Sequence, residues 1–219
     1  DRRYGGLFSL TYAADGSLLA AGGSDGGMSF FNPITGQFLR SLDGHDSTVL
    51  DVSVSPGNAN ILASAGEEGL IRVWDLEDFS QIAAIDGDGE PVSKVEPAPD
   101  ASRLLTASGL GEITIWDYRE GEIALTLEGP GPYPAEGGFP WEAPQILSVA
   151  ADPLRRYYAA GSSDNLVRLF DAETGEHTGR WDVLPEHIDR EELEGDYTDH
   201  SPLAEMDMAI SAEHRVITN

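Results

Sequence analysis

The chain has 219 residues and carries 39 acidic side chains against 13 basic ones, a formal net charge of −26. A field of that sign repels a phosphate backbone, so nucleic acid is not expected as a direct partner. Cysteine is absent, which excludes disulfides, thiolate nucleophiles and thiolate metal sites together and leaves the redox compartment undetermined. No run approaches the roughly 18 apolar residues of a membrane span.

Read from the N-terminus, one short phrase keeps returning. It is loose in Met28-Ser29-Phe30-Phe31-Asn32, then clear in Leu70-Ile71-Arg72-Val73-Trp74-Asp75, Glu112-Ile113-Thr114-Ile115-Trp116-Asp117 and Leu166-Val167-Arg168-Leu169-Phe170-Asp171. The closing aromatics Phe31, Trp74, Trp116 and Phe170 lie 43, 42 and 54 residues apart. A period near 40–45 is that of a four-stranded propeller blade, and the longer interval carries an insertion. The second unit shows all four strands: 49–54 alternates apolar and polar, 61–65 follows the Pro56-Gly57-Asn58 turn, 70–74 is the third and 81–85 the fourth. With no helical period between them, the class is all-β: a β-propeller of four-stranded antiparallel blades, four complete units and part of a fifth.

The units run over 7–43, 44–87, 88–128 and 146–181, with a partial unit at 206–219 and insertions at 129–145 and 182–205. The first insertion sets Tyr133, Phe139 and Trp141 among five prolines, which stiffen a loop and lower the entropy cost of presenting aromatics. The second is strongly acidic and holds His187, Glu191 and Glu192, with Pro185 and Glu186 placed to open a short helix. These six residues are the partner-binding candidates. No calcium-loop pattern, zinc-ligand spacing, phosphate-cradling glycine motif or nucleophile elbow is present, so no metal, cofactor or catalytic residue is expected. An open array would leave an uncovered blade face, so further blades are expected outside this segment, which begins at Asp1 without a methionine.

The phrases ending in Trp-Asp, with Gly44-His45 opening the second unit and Ala63-Ser64-Ala65-Gly66-Glu67-Glu68-Gly69 inside it, resemble the WD-repeat family over nearly the whole chain. The resemblance implies a hydrogen-bonded network inside the blade, formed here by His45, Ser64, Glu68 and Trp74. Matching positions elsewhere are less complete: Asp88, Thr106 and Leu110 in the third unit, Ala21 with Asp25 in the first, Ala160 with Asp164 in the fourth. The resemblance also implies that both insertions sit on one face of the disc.

The expected function is a non-catalytic scaffold for protein–protein interaction, with no cofactor and with the cytoplasm favoured as location. Two alternatives stand beside it: a sensor or regulatory propeller fused to a catalytic module, and an enzyme of quinoprotein type. The latter draws on Asp171-Ala172-Glu173-Thr174-Gly175-Glu176 and Trp181, where Glu176 replaces the lysine of that repeat and the tryptophan falls two residues late. The acid is spread over every unit and Lys94 is the sole lysine, a composition similar to that of proteins from salt-accumulating organisms. The competing reading is that the acid draws a partner with a basic surface.

Overall fold

The computed structural model describes residues 5–87, 89–108, 111–130 and 144–183, and the backbone of 208–210 and 216–218. Among them there is no helix. Four antiparallel sheets follow one another: β1 (Leu7–Tyr12) to β4 (Phe38–Asp43) through β2 (Leu19–Gly23) and β3 (Gly27–Phe31); β5 (Val49–Val54) to β8 (Ser80–Asp86) through β6 (Ile61–Gly66) and β7 (Leu70–Asp75). The third runs from β9 (Val92–Pro97) through β10 (Arg103–Ser108) and β11 (Ile113–Asp117) to β12 (Glu122–Leu127). The fourth runs from β13 (Ile146–Ala151) through β14 (Tyr157–Ser162) and β15 (Leu166–Asp171) to β16 (His177–Asp182). A two-stranded pair, β17 (Met208–Ile210) and β18 (Val216–Thr218), follows. These sheets are the blades expected of an all-β propeller.

The first strands of the sheets are neighbours: β1 lies beside β5, β5 beside β9, β9 beside β13 and β13 beside β17, so they stand round a common axis. Burial falls off outward. The second strands are almost wholly buried, while β4, β8, β12 and β16 are mostly exposed. The apolar cores therefore lie between sheets rather than within one. Met28 and Phe30 pack with Val49, Val52 and Trp74 between blades one and two. Ile71 and Val73 pack with Val95, Leu104 and Trp116 between blades two and three, and Ile113 and Ile115 with Tyr158 and Phe170 between blades three and four.

Bulges shape each blade from within, and close glycine approaches fix the registration of one blade on the next. Each first strand carries a bulge two residues in, at Phe8, Leu50, Ser93 and Leu147, which twists it against its neighbour. Gly57, in the turn after β5, lies so close to the Pro99 carbonyl of the next blade that a Cβ would overlap it. Gly26 plays the corresponding part between blades one and two: its φ of +78° is open to glycine at little cost, and the His45 carbonyl fills the space a side chain would need.

Candidate functional site

His45 enters β5 with its side chain fully buried, held by the backbone bond from its own N–H to the Gly26 carbonyl. Its Nε2 lies 2.7 Å from Ser64 Oγ on β6 and its Nδ1 2.5 Å from Glu68 Oε1 in the β6–β7 turn. Trp74 Nε1 on β7 donates to the same Ser64 oxygen at 2.9 Å. With Trp74 donating to it, Ser64 turns its own proton to Nε2, which leaves Nδ1–H to donate to Glu68. Burial holds the His45 pKa below its ordinary value, the Glu68 bond and charge opposing this in part, so the ring is neutral at neutral pH. The four residues thus form one connected group. Ser64 is fully buried and its hydroxyl committed, so no substrate reaches the constellation that superficially resembles a Ser-His-acid triad.

The other blades meet the same interior with different chemistry. In blade three Trp116 Nε1 donates to Thr106 Oγ1 at 2.9 Å. In blade four Phe170 stands where the tryptophan would be, and Arg168 on β15 fills the polar role. Its Nη2 lies 2.5 Å from Asp164 Oδ2 and its Nη1 2.6 Å from Ser162 Oγ, with both ends of the ion pair largely buried. The sequence pattern, which pairs only Ala160 with Asp164 in this blade, does not reveal the group. The available signal was an acid in the turn with an arginine four residues on, a spacing that recurs as Glu68 and Arg72 in blade two. There the geometry differs: Glu68 Oε2 and Arg72 Nε are each buried without a hydrogen-bond partner. The carboxylates of Asp75, Asp117 and Asp171 cap the turns after the third strands by accepting backbone N–H bonds, from Glu77, Arg119 and Glu173 among others.

Tyr133, Phe139, Trp141, His187, Glu191 and Glu192 lie outside the described residues, as does the short helix expected near Pro185. Two surfaces that the sequence did not single out lie within them. A cavity of about 460 Å³ opens between the inner strands β1, β5, β9 and β13, and Asp51, Lys94 and Glu96 face it. The second is the outward face of blade one. The bond closing the first turn of each blade is donated by Ala13, Ser55, Ala98 and Asp152, which aligns the inner strands residue by residue. On that alignment Leu7, Leu10 and Tyr12 correspond to Val49, Val52 and Val54. The latter are buried against the preceding blade; the former are 65%, 61% and 60% exposed.

Residues 36–75 match the model of the WD domain, G-beta repeat. The chain is 27% identical over 130 residues to the COMPASS component SWD3 of Saccharomyces cerevisiae, across 56% of this chain and 41% of that protein. It is 23% identical over 218 residues to eukaryotic translation initiation factor 3 subunit I of Scheffersomyces stipitis, across 95% of this chain and 57% of that one. A chain in the crystal structure of the mitotic checkpoint complex superposes with a TM-score of 0.68 at 21% identity, over 84% of this chain and 55% of its own length, which shows the shared propeller fold. The chain spans about half of these proteins or less. The repeat match, the similar repeat proteins and the four stacked four-stranded sheets agree, and the chain belongs to the WD-repeat family.

Proposed function

We propose that this chain is part of a non-catalytic scaffold whose surfaces hold protein partners. The observation that carries the reading is the state of its most enzyme-like constellation: His45, Ser64, Glu68 and Trp74 are interior, mutually bonded and closed to substrate. Two of the similar proteins are by name parts of assemblies, a COMPASS component and an initiation-factor subunit, which is in keeping with this role. Should the acid serve recognition rather than ionic strength, a net charge of −26 attracts a partner with a basic surface. The units 7–43, 44–87, 88–128, 146–181 and 206–219 are proposed as successive blades, with a further blade of the same protein covering Leu7, Leu10 and Tyr12.

On sequence grounds, the loops 129–145 and 182–205 are the proposed partner site, with Trp141 as anchor. The test is affinity capture from native lysate with the whole natural protein, comparing wild type with Trp141→Ala and with a variant whose second loop is cut to a tight turn. The same partner should be lost in both variants while the fold persists. An unchanged partner set in both would place binding elsewhere, and turnover of a small-molecule substrate would overturn the scaffold reading.

A further inference from the structure

The turns that join third to fourth strands are built alike. Each opens on an amide or acid, Asn32, Asp75, Asp117 or Asp171, and four residues later the backbone enters the left-handed region. Glycine stands there in three blades: Gly36 with a φ of +68°, Gly121 with +72° and Gly175 with +74°. Blade two places Phe79 at that point, with a φ of +62°. Glycine takes such a backbone at little cost, whereas a bulky residue keeps it only where its surroundings hold it.

What holds Phe79 lies in blade one. Its ring meets Phe30 edge-on, with centroids 5.1 Å apart and planes at 77°, and packs against the core shared by blades one and two. The Arg40 guanidinium lies 4.4 Å from the ring centre. Arg40 stands on β4 opposite Phe30, and the same place in the next two blades is taken by Ala83, opposite Val73, and by Leu125, opposite Ile115. The following blade answers each differently. A Cβ on Gly175 of blade four would already lie 3.2 Å from Leu127 and 3.7 Å from Leu125, while one on Gly121 of blade three would meet nothing within 4 Å. Among the described residues, the seam between blades one and two is thus the one where a large side chain crosses from this turn.

We propose that Phe79 is a strap by which blade two pins β4, the outer edge strand of blade one, and that its contacts with Phe30 and Arg40 are what keep the turn in the left-handed region. The strand it reaches has little else over it. β4 is exposed along most of its length, ends its sheet, and turns Phe38 and Leu39 to solvent, 53% and 46% exposed. A free edge with apolar side chains is the kind most open to pairing with another chain, so holding β4 to its own sheet has a use beyond stability.

Urea unfolding of the whole natural protein tests the strap through Phe79→Gly and Phe79→Asn. Both residues accept the left-handed region, and asparagine does so without lending the unfolded chain the freedom of glycine. If the ring contacts carry the strap, their loss outweighs the relieved strain, and Phe79→Asn should lower the folding equilibrium constant roughly tenfold. Arg40→Ala combined with Phe79→Asn should show a coupling of about two- to fivefold between the two sites. Amide exchange should show the β4 N–H groups bonded to β3 losing protection in Phe79→Asn beyond the change in global stability, with those that β12 bonds to β11 unchanged. A Phe79→Asn variant as stable as wild type, or more stable by the roughly five- to thirtyfold that strain relief alone gives, would overturn the strap. Equal loss of protection in β4 and β12 would overturn it too, and strictly additive effects would overturn the part given to Arg40.

Discussion

Ser64 accepts from Trp74 and gives its proton to His45, so Ser64→Ala strands two ring nitrogens in the interior. Each buried polar group left unpaired costs about 1–3 kcal/mol, and the loss should appear as a lowered midpoint in urea with an unchanged slope. Arg168→Ala should cost more, about 3–5 kcal/mol, because it leaves the Asp164 carboxylate buried without its cation. His45 adds a pH dependence whose sign follows from its neutral ring. Its folded pKa lies below the ordinary 6.5, so stability is full above 6.5 and is lost as pH falls from there toward the folded value, where the unfolded chain binds a proton the folded one refuses. Followed from pH 7.5 to 5, the melting temperature of the wild type should fall relative to that of His45→Gln, a difference in which carboxyl groups common to both, such as Glu96, cancel. The blade-two group could be read from the chain because His45, Ser64, Glu68 and Trp74 stand at the positions that the resemblance to the WD-repeat family assigns to such a network. The Arg168 group could not: an arginine inside a strand period looks like a solvent-facing residue until the pairing register shows which face it occupies.

At the scale of the strand, alternation located β5 from Val49 to Val54, and the other strands of that blade within a residue at each end. It worked there because the inner strands bury one face firmly. Outer strands such as β4 and β16 are exposed on both faces, so their period is faint and only the closing aromatic of the preceding strand marks where they begin. The approach of Gly57 to Pro99 was hidden, since it joins two turns some forty residues apart that only the stacking of blades brings together. Gly57→Ala should destabilise by about 1–3 kcal/mol through overpacking at that seam. Gly6→Ala, whose added Cβ would meet only an ordinary contact with the Phe8 ring, should stay within about 0.5 kcal/mol, and denaturation of both variants checks the contrast.

For the molecule as a whole, the repeat period gave away the architecture, while composition left the acidity with two meanings. If the net charge of −26 suits a salty interior, screening relieves self-repulsion and leaves apolar contacts intact, so the melting temperature should climb from low to molar KCl. A flat or falling curve would favour a basic partner as the reason for the acid. The open face of blade one was illegible because Leu7, Leu10 and Tyr12 read, by alternation, like any core strand; only alignment with their buried counterparts shows that they lack a neighbour. Apolar cores that lie between blades require that such a face be covered in the natural protein. Hydroxyl-radical footprinting of the whole natural chain, with Tyr12 compared against the 91% exposed Ile34 and each referred to its rate in the unfolded protein, measures this directly. Strong protection of Tyr12 beside an unprotected Ile34 is the predicted result; Tyr12 as reactive as Ile34 would contradict a structure built from cores between blades.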